Sequence, residues 1–202
     1  MKILILNGSP KPSGSASEKL AEGLAQRLGN AEITMFNAMK TGKDEFVAQV
    51  NAIDALVVVF PLYVDGLPSH LLRLLDEAKG EIKSSARVYS IANNGFYEGQ
   101  QNHLALEMMR HFSASSGMEW GQGLGVGAGG MVGVAPFGSG PMKNIGKALD
   151  KMAQNILNKQ NGDDFYIQPN FPKFLYKMAA HRSWYSQAKG NGISRKGILR
   201  GD

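Results

Sequence analysis

Small and hydroxyl-bearing residues follow the first apolar run of the chain at a spacing that suits anion binding. The run Lys2 to Leu6 predicts a buried strand, and the loop after it leads into an amphipathic helix. Gly8 and Gly14 let the backbone approach an anion closely, and the first turn of a helix offers unpaired N–H groups. The side chains that accompany these amides are Ser9, Lys11, Ser13, Ser15 and Ser17.

The same loop has a second interpretation. Ser and Gly between a strand and a helix are also favourable turn and N-cap residues, so the spacing alone leaves an ordinary turn and an anion site equally open. The loop is neither a Walker A motif nor a Gly-x-Gly-x-x-Gly fingerprint. Lys11 either adds positive charge to a site or points into solvent.

Two further loops with binding character follow predicted strands. The strand at 52–60 is followed by Pro61, Leu62, Tyr63 and Val64, whose aromatic and aliphatic side chains suit a flat apolar ring. The alternative is that Tyr63 only caps the core. The strand Arg87 to Asn93 leads into a polar, glycine-bearing loop at 93–99, whose amides and carbonyls suit the polar rim of a heterocycle.

The glycine-rich run at 121–130 invites comparison with a dinucleotide fingerprint. We expect no such function, because a helix should begin at the last glycine and the chain instead continues to Pro141 without one. Alternating glycines in a strand more often admit a cofactor or another backbone. The segment up to Pro141 is therefore expected to be a flexible loop at or near a site.

The order of these segments predicts an α/β domain. Apolar runs alternate with helical patterns five times, which indicates a parallel sheet of five strands with right-handed crossovers. Loops after parallel strands meet at the carboxyl edge of the sheet, where ligands bind in open α/β folds. The three loops are therefore expected to converge on a phosphate, a flat ring and the rim of that ring.

Composition limits the function classes. The chain has 202 residues, 43% apolar and 19% charged, which suits a single domain over residues 1–202. The lack of cysteine excludes disulfides, thiolate metal sites and Cys nucleophiles. The first apolar run is too short for a signal peptide, and no run approaches the ~20 residues that span a bilayer. We therefore expect a cytoplasmic protein without a membrane span.

Positive charge is concentrated in a C-terminal extension at about 165–202. The segment 172–202 carries seven Lys or Arg and one acid, within a total net charge of +5. A basic segment with aromatic residues suggests nucleic acid or a membrane surface. The favoured interpretation is a solvated terminal helix with no nucleic-acid partner, because such helices often carry Lys and Arg on their outer face.

As a set, these motifs resemble the flavodoxin-like NAD(P)H-dependent FMN reductases, including related quinone and azo-dye reductases. The segment 7–11, Asn-Gly-Ser-Pro-Lys, is similar to the family's Gly-Ser-Pro-Arg phosphate loop, and 15–17 matches its Ser-x-Ser contacts. The segments 61–63 and 93–96 fall where the family lines its flavin. The resemblance implies cofactor binding by Ser9, Lys11, Ser15, Ala16, Ser17, Pro61, Leu62, Tyr63, Val64, Asn93, Asn94, Gly95 and Phe96.

The resemblance also implies an architecture and an activity. The fold would be a flavodoxin-like three-layer sandwich with strand order 2-1-3-4-5. The activity would be FMN-dependent oxidation of NADPH or NADH, with electrons passed to a quinone, free flavin or similar acceptor. No side chain would act as acid, base, nucleophile or metal ligand, and the protein would be a homodimer. Lys11 replaces the family's Arg, and Val64 stands at its Asn position.

Three alternatives stay open at this point. A non-enzymatic electron carrier is disfavoured by the net charge of +5, because carrier flavodoxins are usually acidic. A regulatory FMN-binding module could keep the fold and lose turnover. A hydrolase is weaker still, since Ser9 has no evident His and Asp partners at the same edge.

Overall fold

The computed structural model describes residues 1–194 and Gly197, and six strands form one parallel sheet within this part of the chain. The order across the sheet is β2-β1-β3-β4-β5-β6. The strands are β1 (Lys2–Asn7), β2 (Glu32–Asn37), β3 (Ala55–Pro61), β4 (Arg87–Asn93), β5 (Glu119–Val126) and β6 (Phe165–Ile167).

The sixth strand corrects the predicted five-stranded sheet. β6 pairs parallel to β5, with Phe165 opposite Leu124 and Ile167 opposite Val126. A three-residue strand is too short to give a periodic pattern, so the sequence alone assigns these residues to the basic extension. The order of the other five strands agrees with the prediction.

Five helices cover the two faces of the sheet. Alternate residues of β1 belong to the apolar cores on opposite faces of the sheet. Ile3 and Ile5 pack in the core beneath α1 and α5, whereas Leu4 and Leu6 pack in the core beneath α2, α3 and α4. The result is the predicted three-layer sandwich. The helices are α1 (Ala16–Ala25), α2 (Lys43–Val50), α3 (Ser69–Ala78), α4 (His103–Ser115) and α5 (Lys143–Leu157).

The alternating glycines of β5 allow neighbouring side chains and loops to pack closely; they do not form a dinucleotide-binding turn. A Cβ at Gly121 would lie 2.5 Å from the Tyr89 ring, and one at Gly125 would lie 2.5 Å from the Tyr166 ring. A Cβ at Gly127 would collide with the loop that follows β4. The strand therefore needs glycine for close packing, and the run ends in a single 3₁₀ turn at Gly129–Met131 rather than at the start of an α-helix.

A separate compact unit begins at Asn170, after the first unit, Met1–Pro169. It contains α6 (Lys173–Gly190), a helix within the extension where a terminal helix was expected. The basic residues Arg195, Lys196 and Arg200 of the predicted extension lie outside the described residues. In the part of the chain that the structure covers, no helix combines the length and apolarity needed to cross a bilayer.

Candidate functional site

Four loops surround one cavity at the carboxyl edge of the sheet. The parallel ladder of β3 and β4 ends with Pro61 opposite Asn93, and the N–H of Leu62 then donates to the Asn93 carbonyl at 2.7 Å. The loop after β1 joins them because β1 is the other neighbour of β3. The expected convergence of three loops is therefore present, and the loop after β5 adds a fourth wall.

The first loop is held by a capping box at the start of α1. Ser15 is the N-cap, and its hydroxyl accepts the N–H of Glu18 at 3.0 Å. The Glu18 carboxylate in turn accepts the N–H groups of Gly14 and Ser15. Ser-x-x-Glu is the usual sequence for this arrangement. Two amides that the sequence interpretation offered to an anion are thus bound to a carboxylate of the same loop.

Other donors of this loop remain open to a ligand. The N–H groups of Ala16 and Ser17 have no hydrogen-bond partner in the described part of the chain. Ser9 is 3% exposed, and its hydroxyl oxygen accepts the N–H of Lys11 at 3.2 Å, which leaves its proton to donate. First-turn amides with a hydroxyl beside them form an anion site because the helix dipole adds positive potential there.

Two lysines bring positive charge to the cavity. Lys11 donates from Nζ to the Gly14 carbonyl at 3.3 Å, so it lies along the first loop. Lys19, one turn into α1, lines the cavity and donates to the Val132 carbonyl at 3.3 Å. Sequence reasoning missed Lys19. Its only signal was its position four residues after Ser15, which puts both on one side of the helix.

The second loop contains a tight turn that moves Val64 away from the cavity. Tyr63 and Gly66 exchange two backbone hydrogen bonds of 3.0 Å, while Val64 and Asp65 have φ of 48° and 56°. Two successive residues with positive φ define a type I′ turn. Val64 stands at its apex and is fully exposed, whereas Tyr63 lines the cavity and is half-exposed.

The third loop ties the site together through buried amides. Asn93 is 4% exposed, and its Nδ2 donates to the Ser17 hydroxyl at 2.8 Å and to the Phe60 carbonyl at 2.9 Å. Asn94 donates from Nδ2 to the Glu98 carbonyl at 3.1 Å, and its Oδ1 is buried with no partner among residues 1–194 and 197. Asn93 therefore fixes the first and third loops relative to each other.

The loop after β5 supplies wall residues that the sequence did not single out. Gly129 donates its N–H to the Asn94 carbonyl at 2.6 Å, and Ala128 donates to the Phe96 carbonyl at 2.5 Å. Gly129, Gly130 and Val132 line the cavity. The sequence placed this segment near the site but gave no residue, because its contribution depends on backbone contacts with the third loop.

The cavity has a volume of about 410 Å³, which lies in the range of about 300–1,000 Å³ for small-ligand sites. It brings together eleven of the thirteen residues proposed from the sequence. Val64 and Phe96 do not line it: Val64 is turned out by its hairpin, and the Phe96 side chain is 59% exposed. The eleven are Ser9, Lys11, Ser15, Ala16, Ser17, Pro61, Leu62, Tyr63, Asn93, Asn94 and Gly95.

Volume alone does not select this cavity. A concavity of about 550 Å³ lies beside Gly42 and Lys43, where Asp44, Glu45 and Glu77 would repel an anion. Another, of about 620 Å³, lies along α1 and shares Lys19. Of these three cavities in the described part of the chain, the one at the sheet edge combines open first-turn amides with residues from four strand-ending loops, so we assign the candidate site there.

His70 lies behind the first loop. It belongs to the first turn of α3 and hydrogen-bonds the backbone of Gly8, and its Nε2 is buried without a partner in the region that the structure describes. Burial lowers the pKa of His70 from the usual 6.5, and nearby Arg73 acts in the same direction, while the bond to Gly8 opposes both. The imidazole therefore favours its neutral form.

This sheet, its two helical layers and a cavity at the carboxyl edge define a flavodoxin-like α/β protein. A family model described as the flavodoxin-like fold matches residues 1–126, more than half of the chain. The chain belongs to this family. No curated protein matches its sequence.

Solved structures share the fold at low sequence identity. An apo NADH:FMN oxidoreductase is 15% identical with a TM-score of 0.62, covering 80% of this chain and 90% of that one. An FMN-dependent NADH-azoreductase from Bacillus anthracis, in complex with FMN, is 16% identical with a TM-score of 0.60, covering 78% and 100%. A Streptococcus pneumonia flavodoxin is 15% identical with a TM-score of 0.59, covering 79% and 99%. The shared fold alone does not separate enzyme from carrier.

Proposed function

We propose that this protein binds FMN at the sheet-edge cavity and oxidises NADPH or NADH, passing the electrons to a quinone, free flavin or similar acceptor. The observation that carries the proposal is the union, in one cavity, of open first-turn amides and an apolar loop. Ala16 and Ser17 supply the amides, and Pro61, Leu62 and Tyr63 supply the apolar wall.

The phosphate end is supported by donors and by charge. The Ser9 hydroxyl and the N–H groups of Ala16 and Ser17 can donate to a phosphate, and Lys11 and Lys19 lie on the same wall. The Glu18 carboxylate is already bound to two neighbouring amides. The loop is thus shaped for an anionic oxygen. The Glu18 carboxylate already occupies part of the space that a phosphate would need.

The ring end is supported by apolar surface and a polar rim. Tyr63 presents a half-exposed aromatic side chain beside Leu62, while Gly95 and Asn94, whose buried Oδ1 has no partner in the described part of the chain, line the same cavity. A flat heterocycle needs this combination of flat apolar contact and edge hydrogen bonds. Phe96 and Val64, proposed from the sequence as ring contacts, do not line the cavity and are left out of the proposed site.

The side chains of this cavity would position the cofactor and would not themselves react. Bound FMN would supply the hydride-accepting and electron-donating chemistry, as cofactors do in such enzymes. Asn93 would keep the phosphate loop and the third loop at a fixed separation through Ser17. Leu62, held by the Asn93 carbonyl, would keep the ring wall in place. The chain would therefore bind the flavin, orient its ring and exclude water from the cavity.

The proposal includes a homodimer in the cytoplasm. The absence of cysteine is compatible with a reducing compartment. Reductases that this sequence resembles often bury their flavin at a dimer interface, and here Tyr63 leaves half of its surface open at the cavity. Sedimentation of the FMN-loaded protein as a monomer at micromolar concentration would contradict the proposed homodimer.

Two linked measurements test the function. The protein is mixed with FMN and desalted, and bound flavin is counted per chain; then NADPH or NADH oxidation is followed with and without a soluble quinone. The expected result is about one flavin per chain and quinone-dependent nucleotide oxidation. Retained flavin without nucleotide oxidation would favour a carrier or regulatory module, and failure to retain flavin would overturn the proposed site.

A further inference from the structure

Asn93 ends β4 and lies against the first turn of α1, at the phosphate end of the candidate cavity. Asn93 is 4% exposed and Ser17 is 1% exposed, and both line the cavity. The amide nitrogen Nδ2 of Asn93 donates to the Ser17 hydroxyl oxygen at 2.8 Å and to the Phe60 carbonyl at 2.9 Å. A buried side chain of the third loop is therefore bonded to a hydroxyl beside the open first-turn amides.

The Phe60 carbonyl fixes the orientation of the Asn93 amide. A carbonyl oxygen only accepts hydrogen bonds, so the Asn93 atom that contacts it must be the NH₂ nitrogen and not Oδ1. The same nitrogen contacts the Ser17 hydroxyl. An amide NH₂ group has two protons, which Phe60 and Ser17 take up. The Ser17 oxygen is therefore an acceptor in this contact, and its own proton must point elsewhere.

The Ser17 proton has no acceptor in the described part of the chain. Ser9 shows the same pattern, because its hydroxyl oxygen accepts the N–H of Lys11. Ser15 shows it too, since its oxygen accepts the N–H of Glu18. Three hydroxyls that line one cavity are thus each left with a proton to donate. A phosphate group suits them because it supplies strong acceptor oxygens.

Ser17 differs from the other two serines in the group that orients it. Backbone N–H groups orient Ser9 and Ser15, whereas a side chain orients Ser17. Without a donor at Asn93, the Ser17 hydroxyl can rotate and turn a lone pair toward the ligand, which an anionic oxygen would meet unfavourably. The direction of this one hydroxyl therefore depends on the identity of residue 93.

We propose that Asn93 is a positioning residue of the phosphate end, which holds the Ser17 hydroxyl as a hydrogen-bond donor to the phosphate of the flavin. This inference rests on the proposed FMN site and adds two assignments to it. The Ser17 hydroxyl contacts the phosphate, and Asn93 acts through Ser17 at the phosphate end, although its loop was expected at the rim of the ring. Riboflavin has the same ring and no phosphate, so this contact favours FMN over riboflavin.

Ser17→Ala tests the donor on the full chain, with dissociation constants for FMN and riboflavin measured by flavin fluorescence quenching. Loss of a hydrogen bond to a charged oxygen should weaken FMN binding by roughly tenfold to a hundredfold and leave riboflavin binding within about twofold. Ser90→Ala is the matched control, because Ser90 is a buried serine of β4 that donates to the Val58 carbonyl and does not line the cavity. It should leave the preference for FMN over riboflavin unchanged.

Asn93→Asp tests the positioning role. A carboxylate cannot donate, so it would accept the Ser17 proton and reverse the direction of the contact. It also adds a negative charge that repels a phosphate whether or not the Ser17 hydroxyl is present. The substitution is therefore made in the wild-type chain and in the S17A chain. The loss of FMN affinity should be about tenfold larger in the wild-type chain, because only there is a hydroxyl reversed.

Asn93→Leu repeats this comparison without a change of charge, which covers the case of an aspartate variant that does not fold. Leucine has a similar shape and no donor. It should weaken FMN binding by roughly threefold to tenfold more in the wild-type chain than in the S17A chain.

Two outcomes would overturn the inference while the proposed function stands. The first is an S17A protein that binds FMN as tightly as wild type, or that loses affinity equally for FMN and riboflavin. The second is an equal cost of the Asn93 substitutions with and without the Ser17 hydroxyl, since Asn93 would then act only through charge or loop spacing. A wild-type protein that binds neither flavin would instead overturn the proposed function and this inference together.

Discussion

The carboxylate of Glu18 accepts the backbone N–H of Gly14 inside the loop that is proposed to hold a phosphate. The same carboxylate accepts the N–H of Ser15 at 3.3 Å, so a negative group of the chain already uses two of the loop's donors. A phosphate entering this loop must share space and charge with Glu18. Glu18, the third helical residue of the capping box, therefore also limits how tightly an anion can bind there.

Substitution of Glu18 by Gln is expected to tighten FMN binding. The variant removes a like charge from beside the phosphate, while Gln keeps the capping-box geometry. We expect the dissociation constant for FMN to fall by roughly tenfold, which corresponds to about 1.4 kcal/mol. Riboflavin, which lacks the phosphate, should bind both proteins equally. Flavin fluorescence quenching measures both constants.

Glu22→Gln is the matched control for this experiment, because Glu22 lies one turn further along α1 and does not line the cavity. It should change FMN affinity little. An E18Q protein that binds FMN no better than wild type, or gains equally for riboflavin, would show that the carboxylate does not face the phosphate.

Lys19 is expected to contribute to FMN affinity in the opposite direction. Its ammonium lines the cavity and is held by the Val132 carbonyl, so Lys19→Gln removes positive charge near the proposed phosphate. We expect FMN affinity to fall by about fivefold to tenfold at low salt, with less effect as salt rises. Isothermal titration gives the constants. Lys147→Gln, on the exposed side of α5, should leave them unchanged, and an equal loss for riboflavin would contradict a phosphate role.

Relief of strain at Val64 is expected to stabilise the fold. Val64 is β-branched, has φ of 48° and is fully exposed, so no packing compensates for its left-handed backbone. Val64→Asn should raise the free energy of unfolding by about 1 kcal/mol in urea titrations, because Asn tolerates this region. The control is Val134→Asn, an exposed valine without positive φ, which should give no gain. A V64N protein no more stable than wild type would argue against strain.

The stability of the fold should depend on pH through His70. Burial lowers its pKa in the folded protein, so the unfolded chain binds more protons at this site below about pH 6.5. This contribution is absent above that pH, destabilises increasingly as the pH falls through 6.5, and levels off below the folded pKa. His70→Gln should therefore flatten the curve of unfolding free energy between about pH 5 and 7.

His111→Gln, at an exposed position on α4, is the comparison for this pH series. Its curve should keep the wild-type slope. If His70→Gln retains the full slope while His111→Gln loses it, the pH dependence does not originate behind the phosphate loop.

The centre of the sheet was predictable because β1 and β3 are continuous apolar runs bounded by turn residues. The bounds of β4 agree with those expected, and the order of the first five strands follows from alternation of strand and helix. β6 was missed because Phe165–Ile167 carries no periodicity, and it becomes a strand only through pairing with β5.

The candidate site was predictable in its location and less so in its details. Convergence of three loops follows from topology, and eleven of the thirteen proposed residues share the cavity. The hairpin that exposes Val64 depends on positive φ at Val64 and Asp65. The sequence signals this turn only weakly, through the Asp-Gly pair that follows Val64. Lys19 reaches the site through the loop after β5, a contact between residues far apart in sequence.

The proposed reductase activity is tested most directly by the visible spectrum of the FMN-loaded protein without oxygen, recorded before and after addition of NADPH and, separately, NADH. If the protein is a reductase, the absorbance of the bound flavin bleaches with at least one nucleotide and returns when a quinone is added. Bound flavin that stays oxidised with both nucleotides would contradict the proposed reductase activity, and a protein that holds no flavin would contradict the site itself.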